Sequence, residues 1–208
     1  MIQRTLIITL VTSLLLTVGA MSSSLAKAKK NAGPDLPPTR QAITCVGFSA
    51  DGKEAVFQIM DENIGSMYQV RALKKNEVIA SYPYEEGREK SAWRKVKRAH
   101  ALSNEFTDSP ENTRKRVVMM SQIKGDKILV HMMRGEAIKP YTEIPLHTNK
   151  KGQPAEAFVK QMVWDRKGKI AVIVYHQKTV GRMVWEGDFI HVFKFKSYRL
   201  GFDSGDTP

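Results

Sequence analysis

The chain of 208 residues has one cysteine, Cys45. An oxidising compartment can therefore give it no internal disulfide, and its stability must come from packing. Set among Ile43, Thr44 and Val46, the thiol reads as a small core residue rather than a nucleophile, because no positioned base accompanies it. Catalytic signatures are missing too. There is no H-E-x-x-H, no paired cysteine, no carboxylate-rich calcium loop, no G-x-S-x-G and no glycine-rich phosphate loop, which weighs against metalloprotease, serine-hydrolase and nucleotide-dependent chemistry. Paired carboxylates need no motif, but Asp61-Glu62 and Glu85-Glu86 read as a solvated turn and a helix start. The histidines stand singly: His100 on a helix, His147 in a loop, and His131, His176 and His191 in strand-like runs. Whether those three converge depends on strand order, and no cofactor or metal site is expected. The balance favours a protein that is not an enzyme.

What is present begins with an export signal. Arg4 is followed by an apolar run over residues 6–18 and a small, polar stretch over 19–26, the three-part layout of a cleavable signal peptide. The run is shorter than the roughly 20 residues that a membrane span wants. Ser24 and Ala26 occupy the small-residue positions that a signal peptidase reads, so cleavage is expected after Ala26, with Ala28 as second choice. The alternative is an uncleaved N-terminal anchor. The expected location is secreted or periplasmic.

The formal charge is +12, and it falls only to +11 on cleavage, because Arg4 is the sole charged side chain among residues 1–26. Residues 27–42 hold three prolines and four basic side chains, the composition of a solvated linker. Residues 43–200 read as a single domain and 201–208 as a polar tail. Within the domain, apolar runs at 44–48 and 54–60, 67–73 and 77–82, 117–123 and 127–133, and 158–164 and 169–176 flank short polar turns, giving four hairpins. Alternation places Ala55, Phe57 and Ile59 on one face of the second run, and Phe189, His191, Phe193 and Phe195 on one face of a final strand. The expected fold is mainly β, an antiparallel hairpin meander of propeller-like or sandwich form, with one basic amphipathic helix.

Phe48-Ser49-Ala50-Asp51-Gly52-Lys53 followed by Ala55-Val56-Phe57 resembles the strand-turn-strand element of secreted β-propeller repeats of the Tol-associated periplasmic type. Trp164-Asp165-Arg166-Lys167-Gly168-Lys169 before Ile170-Ala171-Val172 resembles a second copy, with Lys167 in place of the usual aspartate. With the export signal, the chain also resembles uncharacterised secreted proteins of bacteria. The resemblance implies propeller-like sheets and an envelope setting.

The helix is expected over residues 87–103. At 100° per residue, Ala92, Trp93, Val96, Ala99, His100 and Ser103 share one arc, while Lys90, Arg94, Lys97 and Arg98 occupy the other. Glutamates at its start and bases at its end suit the helix dipole. Arg114, Lys115 and Arg116 follow closely, and these seven basic residues are the candidate surface for an anion or partner. The function expected is a non-catalytic extracytoplasmic binding or scaffolding module of the bacterial envelope, meeting an envelope protein or an anionic envelope component. The alternatives are attachment to anionic polymer or lipid head groups through the helix, with peripheral membrane contact, and an envelope hydrolase whose site is assembled from distant residues. Export and the lack of an aromatic stacking motif speak against nucleic acid.

Overall fold

A computed structural model describes residues 41–103, 106–147, 153–180 and 186–202. The signal peptide, most of the linker and residues 203–208 of the polar tail lie outside them. The strands are β1 (Gln41–Phe48), β2 (Glu54–Asp61), β3 (Gly65–Ala72), β4 (Glu77–Tyr84), β5 (Glu111–Asn112), β6 (Val117–Lys124), β7 (Lys127–Arg134), β8 (Ala137–Pro145), β9 (Gln153–Trp164), β10 (Ile170–Val180) and β11 (Glu186–Lys194). The helix α1 (Glu89–Ala99) follows β4, and a 3-10 turn, Ser197–Leu200, follows β11. Mainly β structure with one helix and antiparallel pairing is thus the architecture of the described residues.

Seven strands form one sheet in the order β4-β3-β2-β1-β11-β10-β9, and four form a second in the order β5-β6-β7-β8. Two antiparallel meanders meet in the larger sheet at a single parallel bridge, Gln41 to Gly187. Both sheets are open, with β4 and β9 at the edges of one and β5 and β8 at those of the other. The propeller-like expectation is therefore corrected. Asp-Gly turns form wherever a tight hairpin needs positive φ, and local turns do not dictate that sheets close.

Three cores explain the strand patterns. The first joins Met119, Val130 and Met132 of the smaller sheet to Trp164, Ile173 and Tyr175 of β9 and β10. The second joins Ile43, Phe57 and Ile59 to Val172 and Val174, the opposite face of β10. In the third, Ala92 and Val96 of α1 cover Val56, Tyr68 and Val70. Both faces of β2 are consequently buried, Ala55, Phe57 and Ile59 on one and Val56 on the other, which is why its sequence is nearly continuous in apolar residues. The second core is pinned by polar groups. The Gln161 side chain accepts from the Cys45 amide at 2.8 Å and donates to the Cys45 carbonyl at 3.0 Å, replacing ladder bonds that one backbone bridge does not supply. Burial pushes the Cys45 thiol up to about 12, so it stays protonated within the core.

Several boundaries differ from the sequence reading. β1 begins at Gln41, inside the expected linker, and Phe202 of the expected tail is buried in the first core. The helix stops at Ala99 because Ala101 takes a φ of 43° and Ser49 bridges to Leu102. Ala99 is exposed, and Trp93 is only half-buried, its ring 5.1 Å from that of Tyr68. Lys97 lies 5.8 Å over the Trp93 ring instead of standing free with the other bases. β8 was not anticipated, because Pro140 and Pro145 mask a strand that tolerates proline only as a sheet edge.

Candidate anion-binding site

Three tight turns from different parts of the chain meet at one end of the stacked strands. In the β1–β2 turn, the Ser49 hydroxyl donates to Asp51 Oδ1 at 2.7 Å and the Lys53 amide donates to the same oxygen at 3.0 Å. These bonds, with the Lys53 ammonium 3.0 Å from Oδ2, hold the Asp51 carboxyl well below the usual range, the Ser49 contribution being the largest. In the β9–β10 turn the buried Asp165 carboxylate accepts the Lys169 and Ile170 amides, both at 2.6 Å, and the Lys167 amide at 3.3 Å. Gly168 closes this turn at φ 62°, a region that side chains with a Cβ rarely adopt. The third turn, residues 113–116, joins β5 to β6 and carries Arg116 at φ 52°.

Side chains bind these turns together. Lys167 Nζ donates to the Asp51 carbonyl at 2.9 Å, and Asn112 Nδ2 donates to the Gly168 carbonyl at 2.9 Å. The C-terminal end of α1 joins the same row, since the Ala50 amide donates to the Ala101 carbonyl at 3.0 Å. Between the β5–β6 and β9–β10 turns lies a cavity of about 380 Å³. Asn112, Trp164 and Gly168 line it with Thr107, Ser109, Thr113, Arg114 and Arg166, and two carboxylates, Glu111 and Asp165, share the lining. Three hydroxyls and two guanidiniums supply the donors that a phosphate, sulfate or carboxylate requires, and the Asp165 charge is met by backbone amides, so Glu111 is the acidic group that opposes an anion there.

The expected basic residues fall into two sets. Arg114, Lys115 and Arg116 occupy the β5–β6 turn, where Arg114 reaches the cavity rim and the Lys115 carbonyl is held by Arg134 at 3.0 Å. Lys97 and Arg98 are in the last turn of α1, at the end nearest the turn row, whereas Lys90 sits in its first turn, about 10 Å along the axis at 1.5 Å per residue. The turns therefore collect Arg114–Arg116 with Arg166 and Lys167, and do not gather the helix bases as a single face. Sequence reasoning missed Arg166, Lys167 and Asn112 as site residues. Arg166 and Lys167 stood in the second hairpin motif, read for its fold alone, whereas Asn112 stood two residues before the Arg114–Arg116 run with no signal of its own.

The remaining polar clusters serve the fold. Asp188 accepts the Ile43 amide at 2.8 Å, His176 Nδ1 at 2.9 Å and the Lys160 ammonium, tying β1 to the β9–β11 meander. His100 bridges Glu54, at 2.8 Å from Nδ1, and the Tyr82 hydroxyl, at 2.9 Å from Nε2, fixing the end of α1 on β2 and β4. His131, His176 and His191 do not converge: His131 is on the outer face of β7, and His176 and His191 are on opposite faces of the β10–β11 pair. Among the described residues no three His, Cys, Asp or Glu side chains are placed to hold a metal ion. A wider groove of about 1020 Å³ runs between β4 and the start of α1, lined by Glu85 and Glu86 together with Arg88 and Lys95. No family model, no curated protein and no solved structure matches the chain, so the site is read from its geometry.

Proposed function

We propose that the protein is an exported, non-catalytic β-rich binding module, with open sandwich-like layers, that engages an anionic component of the bacterial envelope at its row of turns. The observation that carries this reading is the cavity lined by Arg114 and Arg166 with Thr107, Ser109 and Thr113, and with Lys167 beside it; of the two carboxylates in the lining, Asp165 is taken up by the amides of its own turn, which leaves Glu111 against the basic side chains. Stability does not require cations to cluster, and like charges close together repel. A ligand carrying several negative groups relieves that repulsion, and the +12 charge of the chain brings such a ligand in over distance. The export signal at residues 1–26 is the support for the envelope setting.

Two measurements test the reading. Vesicles containing phosphatidylglycerol should retain the processed protein at low ionic strength and release it as salt approaches 1 M, where the Debye length is about 3 Å. Joint replacement of Arg114, Lys115 and Arg116 by Gln should abolish most of that retention while the melting temperature holds. Equal retention of variant and wild type removes the turn row as the binding surface. Mass spectrometry of the exported chain should find a new N-terminus at Lys27, or at Lys29, and intact Met1 in a washed membrane fraction contradicts export by cleavage.

A further inference from the structure

We propose that the outer face of β6 and β7 holds a soft monovalent metal ion, Cu(I) by chemical class, between the thioethers of Met120 and Met133 and the imidazole of His131. Alternation fixes the placement. Met119, Val130 and Met132 are buried in the first core, so their neighbours Met120, His131 and Met133 project from the other side of the sheet. Register brings the three together. Met120 lies directly opposite His131, and Met133, two residues along β7, lies opposite Val118. Directly opposed Cβ atoms are about 4.5–5.5 Å apart and diagonal neighbours about 7–8 Å, spans that long thioether arms and an imidazole close onto one point above the sheet.

The surroundings select the metal. On β8, Pro140 faces His131 and Ile138 faces Met133, so this side of the trio is apolar. Two carboxylates share the face: Glu143, opposite Leu129, is engaged by Lys127 at 2.7 Å, and Glu111, opposite Val118, is two strands away from Met133. Neutral sulfur donors with one imidazole suit Cu(I), whereas hard divalent ions want oxygen ligands. Access is open, since Met120 is 39% exposed and the other two are half-buried. His131 is also available. The other four histidines engage carboxylates or aromatic rings, while among the described residues His131 has no hydrogen-bond, ionic or ring partner. None of the three lines the turn cavity, so this site stands or falls apart from anion binding. Cys45, the other soft donor, is 1% exposed in the second core.

The test titrates the processed protein anaerobically with Cu(I) against bicinchoninate. One equivalent should be withdrawn from the chelator, and Met120→Leu with Met133→Leu should weaken binding by at least roughly 10-fold, the low end of what even an outer-shell change costs a metal site. His131→Gln should weaken it similarly, and Met60→Leu, at another exposed methionine, should leave it unchanged. Methyl NMR with Ag(I) as diamagnetic probe should shift Met120 and Met133 and leave Met60 in place, a readout that needs no variant to fold. Failure of the wild type to compete with the chelator, equal affinity in the double Leu variant, or Ag(I) shifts centred on other methionines overturns the proposal, the first of these leaving the face a plain apolar patch.

Discussion

The ammonium of Lys167 is hydrogen-bonded to the backbone carbonyl of Asp51 at 2.9 Å, so the two hairpin turns that look alike in sequence are fastened to each other in space. An ideal Cβ on Gly52 would stand 3.0 Å from Asp165 Oδ2, which shows how closely the turns approach. Their stability and the anion site are consequently linked. Residues that shape the turns also set where Arg114 and Arg166 stand.

The two turn glycines should respond unequally. Both have positive φ, 73° at Gly52 and 62° at Gly168, so an alanine at either carries a backbone penalty of about 1 kcal/mol or more. At Gly168 the added Cβ also falls 2.4–2.8 Å from the Asn112 side chain, which is buried and bonded to the Gly168 carbonyl. Displacing it forfeits a further ~1 kcal/mol or more. Urea unfolding should show Gly168→Ala to be the more destabilising, and an equal midpoint shift for the two would contradict the contact.

Asp165 should be the most sensitive polar residue of the site. Its Oδ1 alone accepts two amides at 2.6 Å, bonds of the charge-assisted kind worth roughly 1.5–3 kcal/mol each. Asp165→Asn retains one acceptor oxygen and should cost less than Asp165→Ala, which leaves the Lys169 and Ile170 amides without it. Both should lower thermal stability, and anion binding should weaken in parallel as Arg166 loses its platform. Unchanged melting of the Ala variant would show that the turn is held by Gly168 alone.

Acid should destabilise the fold through two histidines packed on aromatic rings at the margin of the first core, His147 on Phe189 and His191 beside Phe193. Desolvation pushes the half-buried His191 imidazole below its ordinary value, and packing against Phe189 does the same to that of His147. The unfolded chain takes up protons as pH falls through about 6.5, whereas the folded chain resists, so this stabilisation is present above that pH and is lost on going below it. Between pH 7.5 and 5.5, before most carboxylates titrate, the urea midpoint of the wild type should fall. His191→Phe, placed beside Phe193, should flatten part of that fall, and a slope identical to that of the wild type would remove His191 as its source.

How much of this was legible depended on the range of the signal. Hairpins announced themselves because Asp51-Gly52 and Gly125-Asp126 couple turn chemistry to flanking alternation within a dozen residues. The parallel bridge between Gln41 and Gly187 joins residues far apart in sequence, and no local pattern encodes it. The same holds for Gln161 serving the Cys45 backbone and for Asp188 serving Ile43: a strand-borne Gln or Asp looks solvent-facing until its partner strand is known. Arg114–Arg116 were visible as a charge run, yet the neighbours that give them a cavity, Trp164 and Arg166, arrive only through tertiary packing.

The helix separates packing from charge less cleanly than its periodicity suggests, and the difference is measurable. Val96 is fully buried against Val56 and Val70, so Val96→Ala leaves a void and should cost about 1–3 kcal/mol. Trp93 is half-buried, so its replacement by Ala should cost less than the 3–5 kcal/mol typical of a fully buried aromatic, although it also removes the ring contact with Tyr68 and the seat of the Lys97 ammonium. Replacing Arg94, Lys97 and Arg98 by Gln keeps helix propensity but forfeits the cation–π contact, worth about 0.5–1 kcal/mol at an exposed site. That triple variant should therefore melt slightly lower, and at low salt it should keep more vesicle binding than the Arg114, Lys115 and Arg116 triple, because Lys97 is already occupied by Trp93 and Arg94 stands a turn away from the row. If the helix variant instead loses the larger share of binding, the anion surface belongs to α1 and the turn cavity is not its centre.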